Sequence, residues 1–364
     1  MRPFSGSYAT ADVEFLLKTL ELAPIEDIEE KERLIQSGKK HYSEIIGVEQ
    51  QPDETYLELF HQSMESNLAQ MSKDLYWITR KIREARNSES LAIVSLARAG
   101  TPIGVGIKRL LEAEFNTPAK HYSISIIRDR GIDEQALRYV TARHSPESVV
   151  IVDGWTGKGA IATELHASMS RLTEPELQRI PRELYVLCDL GGVSTDCGST
   201  EDYLIPSAIL NSTVSGLVSR TILNELIGPS DFHGCLYYTE LESQDLSRWF
   251  IDQLLDRLTT DLPRLREAEC PKFEGIVVRK RMSDWINTLR KEYGIQNSNL
   301  IKPGICESTR ALLRRSAGLL LVQNRHNPNT NHLVHLAVKN NLPIEVRGDM
   351  PYMATVLIRS FAHG

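Results

Sequence analysis

Four short apolar runs, each breaking into a loop before a segment of helical spacing, constrain this chain more than any other feature. They are LAIVSLA (91–97), HYSISII (121–127), VVIV (149–152) and ELYVLCDLGG (183–192). Runs this short and this continuously apolar read as strands buried on both faces. Between them, TPIGVGIKRLLEAEF (101–115), DEQALRYVTAR (133–143) and GAIATELHASMSRL (159–172) place apolar residues three and four apart, the spacing of one helical face. Strand, loop and helix repeated in this order predict an α/β fold: a parallel sheet with helices on both faces. Ligands in such folds bind beyond the carboxyl ends of the strands. The breaks after 97, 152 and 190 then share one sheet edge.

The remainder is read more coarsely. DVEFLLKTLEL (12–22) predicts a short helix, EDIEEKERLIQSG (26–38) an acidic helical stretch, and 56–86 one bent helix or two. Region 193–240 is irregular apart from a helix expected over SAILNSTVSGLVSRTILNEL (207–226), and 245–265 reads as helical. A boundary near Cys270–Pro271 divides the chain into domains 1–268 and 269–360, the second a smaller α/β unit. A length of 364 residues suits about two domains. With 42 Lys and Arg against 48 Asp and Glu, the net charge of -6 gives no global nucleic-acid footprint and leaves a local basic site open. The five cysteines form no CxxC pair, which points to a reducing cytoplasm and away from a disulfide framework. No secretory signal and no apolar span of the ~20 residues a membrane helix needs are expected.

The chemistry concentrates in VVIVDGWTGKGA (149–160). A Walker loop would follow its lysine with Ser or Thr, but Gly159 follows Lys158, and the GxGxxG order is absent. A strand delivering Asp153 to a turn whose N–H groups, Thr156, Gly157, Lys158, Gly159 and Ala160, open a helix describes a monophosphate cradle. Asp153 can take a sugar hydroxyl or a metal-bound water. In LARAGTPIG (96–104), Arg98 can reach anionic oxygens while Ala99, Gly100 and Thr101 present N–H groups. Lys108 and Arg109 follow on the next helix, and Arg128 and Arg130 follow the 121–127 strand.

Together these residues resemble the phosphoribosyl-diphosphate signature of type I phosphoribosyltransferases: four apolar residues, two acids and a Thr/Gly turn. Gly154 stands where the second acid belongs. Arg98-Ala99-Gly100 resembles the diphosphate loop of uracil-type members. The resemblance implies a Mg²⁺-dependent phosphoribosyltransferase, a pentosyl-class enzyme. It would transfer from phosphoribosyl diphosphate to an unidentified base or other small nucleophile. Arg98, Asp153 and Asp189 would serve catalysis and Asp153 the metal. It further implies a lid around Arg128 and Arg130, acceptor recognition within 188–216 and a hood from HYSE (41–44), and it admits a homodimer.

Over nearly its whole length the chain resembles a narrow bacterial group of phosphoribosyltransferase-like proteins from tellurite-resistance and stress gene clusters, some labelled cysteine protease StiP. That implies biosynthesis of a nucleoside-like compound. Residues 301–346 resemble the Pelota-type RNA-binding domain through Gly304-Ile305-Cys306-Glu307-Ser308-Thr309-Arg310, with Cys306 in place of an asparagine. Lys302, Gly304, Glu307 and Arg310 would then contact RNA or a nucleotide conjugate, with Arg314 and Arg315 adding charge. Alternatively this unit packs on the first and completes its cleft. Two other functions stay open: a phosphoribosyl- or RNA-binding protein without turnover, and a cysteine protease using Cys188, Cys197 or Cys235 beside His233.

Overall fold

A computed structural model describes residues 3–25, 27, 33–35, 37–49 and 51–359. The apolar runs form a six-stranded, wholly parallel sheet. Its strands are β1 (Glu14–Phe15), β2 (Leu91–Leu96), β3 (Ala119–Ile124), β4 (Val149–Thr156), β5 (Leu184–Asp189) and β6 (Asp196–Ser199), in spatial order β1-β3-β2-β4-β5-β6. Successive side chains point to opposite faces of a strand, and the burial follows. Leu91, Ile93, Val150, Val152, Tyr185 and Leu187 join one core, while Ala92, Val94, Val149, Ile151, Leu184 and Val186 join the other. Helices α1 (Glu54–Ala85), α2 (Gly100–Ala113) and α5 (Ser247–Glu267) cover the first face, and α3 (Glu134–Thr141) and α4 (Ala160–Arg171) the second. Both faces of the sheet are therefore dry, as its uninterrupted apolar runs require.

Three elements depart from the sequence reading. The helix expected over 12–22 is extended chain. Val13, Phe15 and Leu17 enter one core and Leu16 the other, a period of two that a helix cannot produce. β1 adds to β3 at Tyr122 and Ser123. The helix expected over 207–226 is a run of 3₁₀ turns, Pro206–Ala208 and Ser212–Val214, broken where Gly216 and Leu217 take φ of 84° and 59°. A Cβ on Gly216 would lie 2.9 Å from the Phe15 ring, so tertiary packing overrides helical spacing here. The third departure is length: β4 runs four residues past VVIV to Thr156, so Asp153 lies within the strand, opposite Val186. Residues 56–86 form one helix, α1, started by Asp53 accepting from Tyr56 N at 3.0 Å. The acidic stretch 26–38 falls largely outside the described residues.

The C-terminal unit holds α6 (Gly275–Glu292), β7 (Ile301–Pro303), α7 (Ile305–Arg314), β8 (Ala317–Val322), α8 (Asn331–Lys339), β9 (Ile344–Val346) and β10 (Ala354–Ile358). Its four strands run β7-β10-β8-β9, with β10 antiparallel to both neighbours and β8 parallel to β9. β7 and β10 escaped the sequence reading because three and five residues are too few to display a period. Among the described residues no helix is long and apolar enough to cross a membrane.

Candidate functional site

The carboxyl ends of β2, β4 and β5 lie together. The loop after β2 packs directly on β4. A Cβ on Gly100 would come within 2.9 Å of Val152 O and 3.2 Å of Asp153 Oδ1, and one on Gly154 within 2.9 Å of Ala99 O. Gly154 is therefore a close-approach residue: backbone of the 97–101 loop fills the space that a second acid would need. Asp153 is 8% exposed and accepts from its own neighbour, Gly154 N, at 2.7 Å. Burial pushes its carboxyl up to about 7, against the Gly154 N–H and Arg310, which favour the ion. Mg²⁺ would meet one weakly charged ligand here. Among the described residues no group of three or more His, Cys, Asp or Glu could hold a metal ion.

The other expected catalytic groups have partners inside the protein. Asp189 is fully buried. It accepts from Gly191 N, Gly192 N, Val193 N and Ser194 N at 2.7–2.8 Å, from Ser194 Oγ, and from Thr156 Oγ1. With six donors on two oxygens it shapes the 190–194 loop and leaves no lone pair for a ligand. Arg98 pairs with Glu49 at 3.0 Å and donates to Val218 O at 3.2 Å. Thr101 Oγ1 bonds Ser123 Oγ at 2.8 Å, facing into the sheet. Arg109 is tied to Asp12 and Asp252, and Lys108 to Glu112. Arg130 pairs with Glu44, and Arg128 N donates to Tyr42 Oη, so the two expected lid arginines hold the 41–44 segment. In the expected acceptor segment, Asp196 pairs with Lys81 and Ser199 donates to Asp74. Ser212 N donates to Glu49, and Ser215 Oγ bonds Asn211 O.

What the fold does bring together are two motifs about 150 positions apart in the chain. The turn Gly157-Lys158-Gly159 before α4 faces the turn that opens α7. Lys158 Nζ donates to Ser298 O and, at 2.8 Å, to Ile301 O, crossing from one unit to the other. A Cβ on Gly157 would touch Glu307 Cγ at 3.3 Å, and Arg310 lies 5.5 Å from the Trp155 ring centroid. Burial lowers the Lys158 ammonium to about 8, helped by Lys302 and opposed by Glu307. Burial also lowers Lys302 and Arg310; Glu307 opposes in both cases, and each cation feels further arginines nearby. Among the described residues none of these three cations makes a carboxylate ion pair within 4.0 Å.

The opening of α7 is not itself free for a phosphate. Asp202 accepts from Ile305 N at 2.7 Å and from Met353 N at 2.8 Å. Gly304 donates to Ala354 O and sits with φ 84° against Leu190. Cys306 Sγ, placed where the asparagine was expected, donates to Tyr203 O and accepts from Ile205 N, both at 3.2 Å. The RNA-contact motif is thus split. Gly304 and Cys306 dock the unit on the first domain, while Glu307 and Arg310 lie against Gly157 and Trp155 and Lys302 feels the charge of Glu307. Trp155 and Glu49 escaped the sequence reading, and Asp202, read there as part of the acceptor segment 188–216, holds Ile305 N and Met353 N instead, because only chain reversal brings these residues to their partners.

Among the described residues no thiol hydrogen-bonds an imidazole. Cys188, Cys197, Cys235 and Cys306 are buried, and burial raises all four, Cys235 to about 12. Cys188 Sγ is taken by Glu201 O at 3.2 Å, and His233 Nδ1 by Ser125 Oγ at 2.8 Å. Cys270 is half-buried, its thiol also raised by burial.

Residues 6–255 match the family model described as the tellurite-like stress resistance cysteine protease StiP, and residues 281–360 match the PELOTA RNA binding domain. A protein of Acinetobacter baylyi, named cysteine protease StiP, is 39% identical over 372 residues, spanning 99% of this chain and 96% of that protein. Among solved structures, hypoxanthine phosphoribosyltransferase of Trypanosoma cruzi in complex with IMP is 16% identical at a TM-score of 0.27. The match covers 39% of this chain and 72% of that one. An asparagine mutant from a study of an invariant aspartic acid in such enzymes gives 15% and 0.26 over 38% and 79%. Structural scores this low carry no argument. The phosphoribosyltransferase expected from 149–160, with its transferase chemistry and its diphosphate donor, is overturned. The matches that span the chain are to proteins described as cysteine proteases of stress resistance.

Proposed function

The chain belongs to the StiP family of tellurite-like stress resistance cysteine proteases, and from that premise we propose that it binds RNA, through phosphates, in the cleft between its two units. The observation that carries this reading is the convergence of Lys158 from the first unit with Lys302 and Arg310 from the Pelota-type unit, none of them paired to a carboxylate among the described residues. Three partly buried cations share one nearby carboxylate, Glu307; buried charge in excess of its counter-charge is costly, and a phosphate would supply the balance. Trp155, partly buried beneath the Arg310 guanidinium, offers a face on which a base stacks. The five unpaired cysteines suit a reducing cytoplasm, where such a ligand is met.

The test is fluorescence anisotropy with a short single-stranded RNA across a salt series. Lys302→Ala and Arg310→Ala should each weaken binding by about tenfold and flatten the log–log salt slope by about one. Unchanged affinity in both variants would refute the cleft as the binding surface. A mononucleotide that competes at equal concentration would replace RNA by a small nucleotide.

The family description supports a second reading, proteolysis by a cysteine. Cys270 is the thiol nearest to solvent and the first to substitute. Proteolysis of an unfolded protein substrate that disappears with one Cys→Ala change and with one His→Ala change would support it. Activity that survives all five single cysteine changes rules it out.

A further inference from the structure

Arg98 already holds an anion, and that anion belongs to the chain itself. Its Nη1 donates to both carboxylate oxygens of Glu49, at 3.0 and 3.3 Å, and Ser212 N donates to Oε1 at 2.7 Å. The side chains are largely buried, 18% and 12% exposed. Burial alone would raise Glu49; Arg98 and the Ser212 N–H overcome it and hold the carboxyl below its ordinary value. Next to the pair stands Tyr238, 5% exposed, whose hydroxyl is buried without a hydrogen-bond partner and feels the charges of both Glu49 and Arg98. A buried hydroxyl is rarely left unpaired. A flat carboxylate bound on two sides leaves this donor unused, whereas a tetrahedral phosphate has a further oxygen to offer it.

The charge around the pair also exceeds what one carboxylate neutralises. Both Arg310 and Arg220 feel the charge of Arg98. Arg220 donates to Tyr42 O and Ile45 O, fastening the arm that carries Glu49. The arm is further tied by Arg130 on Glu44, by Leu223 N on Ser43 O and by Gly47 bridging Ile25. Glu49 is thus delivered by a short tether to a site lined by donors.

We propose that Arg98, the Ser212 N–H and the Tyr238 hydroxyl form a second phosphate subsite, which Glu49 occupies as an internal stand-in and from which a phosphate group of the ligand displaces it. The subsite adjoins the cleft through Arg310, so a ligand with consecutive phosphates spans both. Only the identity of that ligand rests on the RNA reading; the subsite itself is tested with inorganic phosphate.

Inorganic phosphate and a short single-stranded RNA are titrated calorimetrically into the full chain, E49Q, E49Q/R98Q and K158A/K302A. A site filled by its own carboxylate is competent only a small fraction of the time, and apparent affinity is reduced by that fraction. E49Q should therefore bind inorganic phosphate at least about tenfold more tightly than the unsubstituted chain. The gain should vanish in E49Q/R98Q. Phosphate affinity unchanged in a natively folded E49Q, or a gain that survives R98Q, overturns the subsite. Should E49Q fail to fold by circular dichroism, E49D, whose shorter side chain withdraws the charge from Arg98, is expected to move phosphate affinity in the same direction. No gain in a folded E49D overturns the proposal equally. RNA that binds none of the proteins while E49Q still gains phosphate refutes the RNA reading and supports the subsite. RNA weakened only by K158A/K302A, with no phosphate gain in E49Q, does the reverse.

Discussion

Asp153 and Gly154 show how one residue acquires its role. The motif VVIVDG delivers both to the sheet edge, which was legible from the apolar run alone. What was not legible is that Ala99 O closes on Gly154, so that Gly154 answers a backbone approach. Asp153 is left as a lone buried carboxyl, raised from 3.8 to about 7. The sign follows from linkage. The folded state prefers the protonated acid, so the stability tied to this group is fully present below about pH 4. It is lost as pH rises towards 7, then stays level. Asp74 and Asp202 are raised by burial in the same direction, so the comparison must be with a variant. Asp153→Asn should match the unsubstituted chain at pH 4 and exceed it at pH 8, by on the order of a few kcal/mol. Thermal melting across that range measures it. A constant difference at every pH would show that burial does not control this carboxyl.

At the scale of elements, helix α7 is anchored from the other unit. Its first N–H, on Ile305, and the Met353 N–H before β10 both end on Asp202, which lies in the loop after β6. The sequence marked this helix start by the Pelota-type run at Gly304, a pattern read from neighbouring residues. It placed the helix over 207–226 wrongly by the same reasoning, because Phe15 excludes a side chain at Gly216 and a contact 201 positions away outweighs local spacing. Asp202→Ala leaves two buried N–H groups unsatisfied and should cost about 2–4 kcal/mol. The loss should appear in hydrogen exchange as weakened protection of 301–314 and 354–358 with β2–β5 unaffected. Equal loss of protection in both units would mean that the cap holds more than the C-terminal unit.

Over the whole molecule, the C-terminal unit closes on the sheet edge and turns half of its RNA-type motif inward. Lys158 is the cross-link that a melting experiment can read, through its bonds to Ser298 O and Ile301 O. Lys158→Met keeps the apolar stem and deletes both bonds, so the two units should uncouple and a single calorimetric transition should broaden or split. A sharp, unshifted transition would leave the coupling to Leu190, Asp202 and Tyr203 alone.

By itself the sequence determined the alternation of strand and helix, the two dry faces of the sheet, and the gathering of the 98–101, 153–160 and 189–192 loops at one edge. Each follows from periodicity and burial within a few neighbouring residues. The tertiary structure decided what that edge meets. Glu49 fills Arg98, Asp189 is consumed by its own loop, and Lys302 and Arg310 arrive opposite Lys158. The first and the last are pairings across 49 and 143 positions, fixed by how the units pack, whereas the loop that consumes Asp189 lies within five residues of it. Local spacing carries no record of such distances.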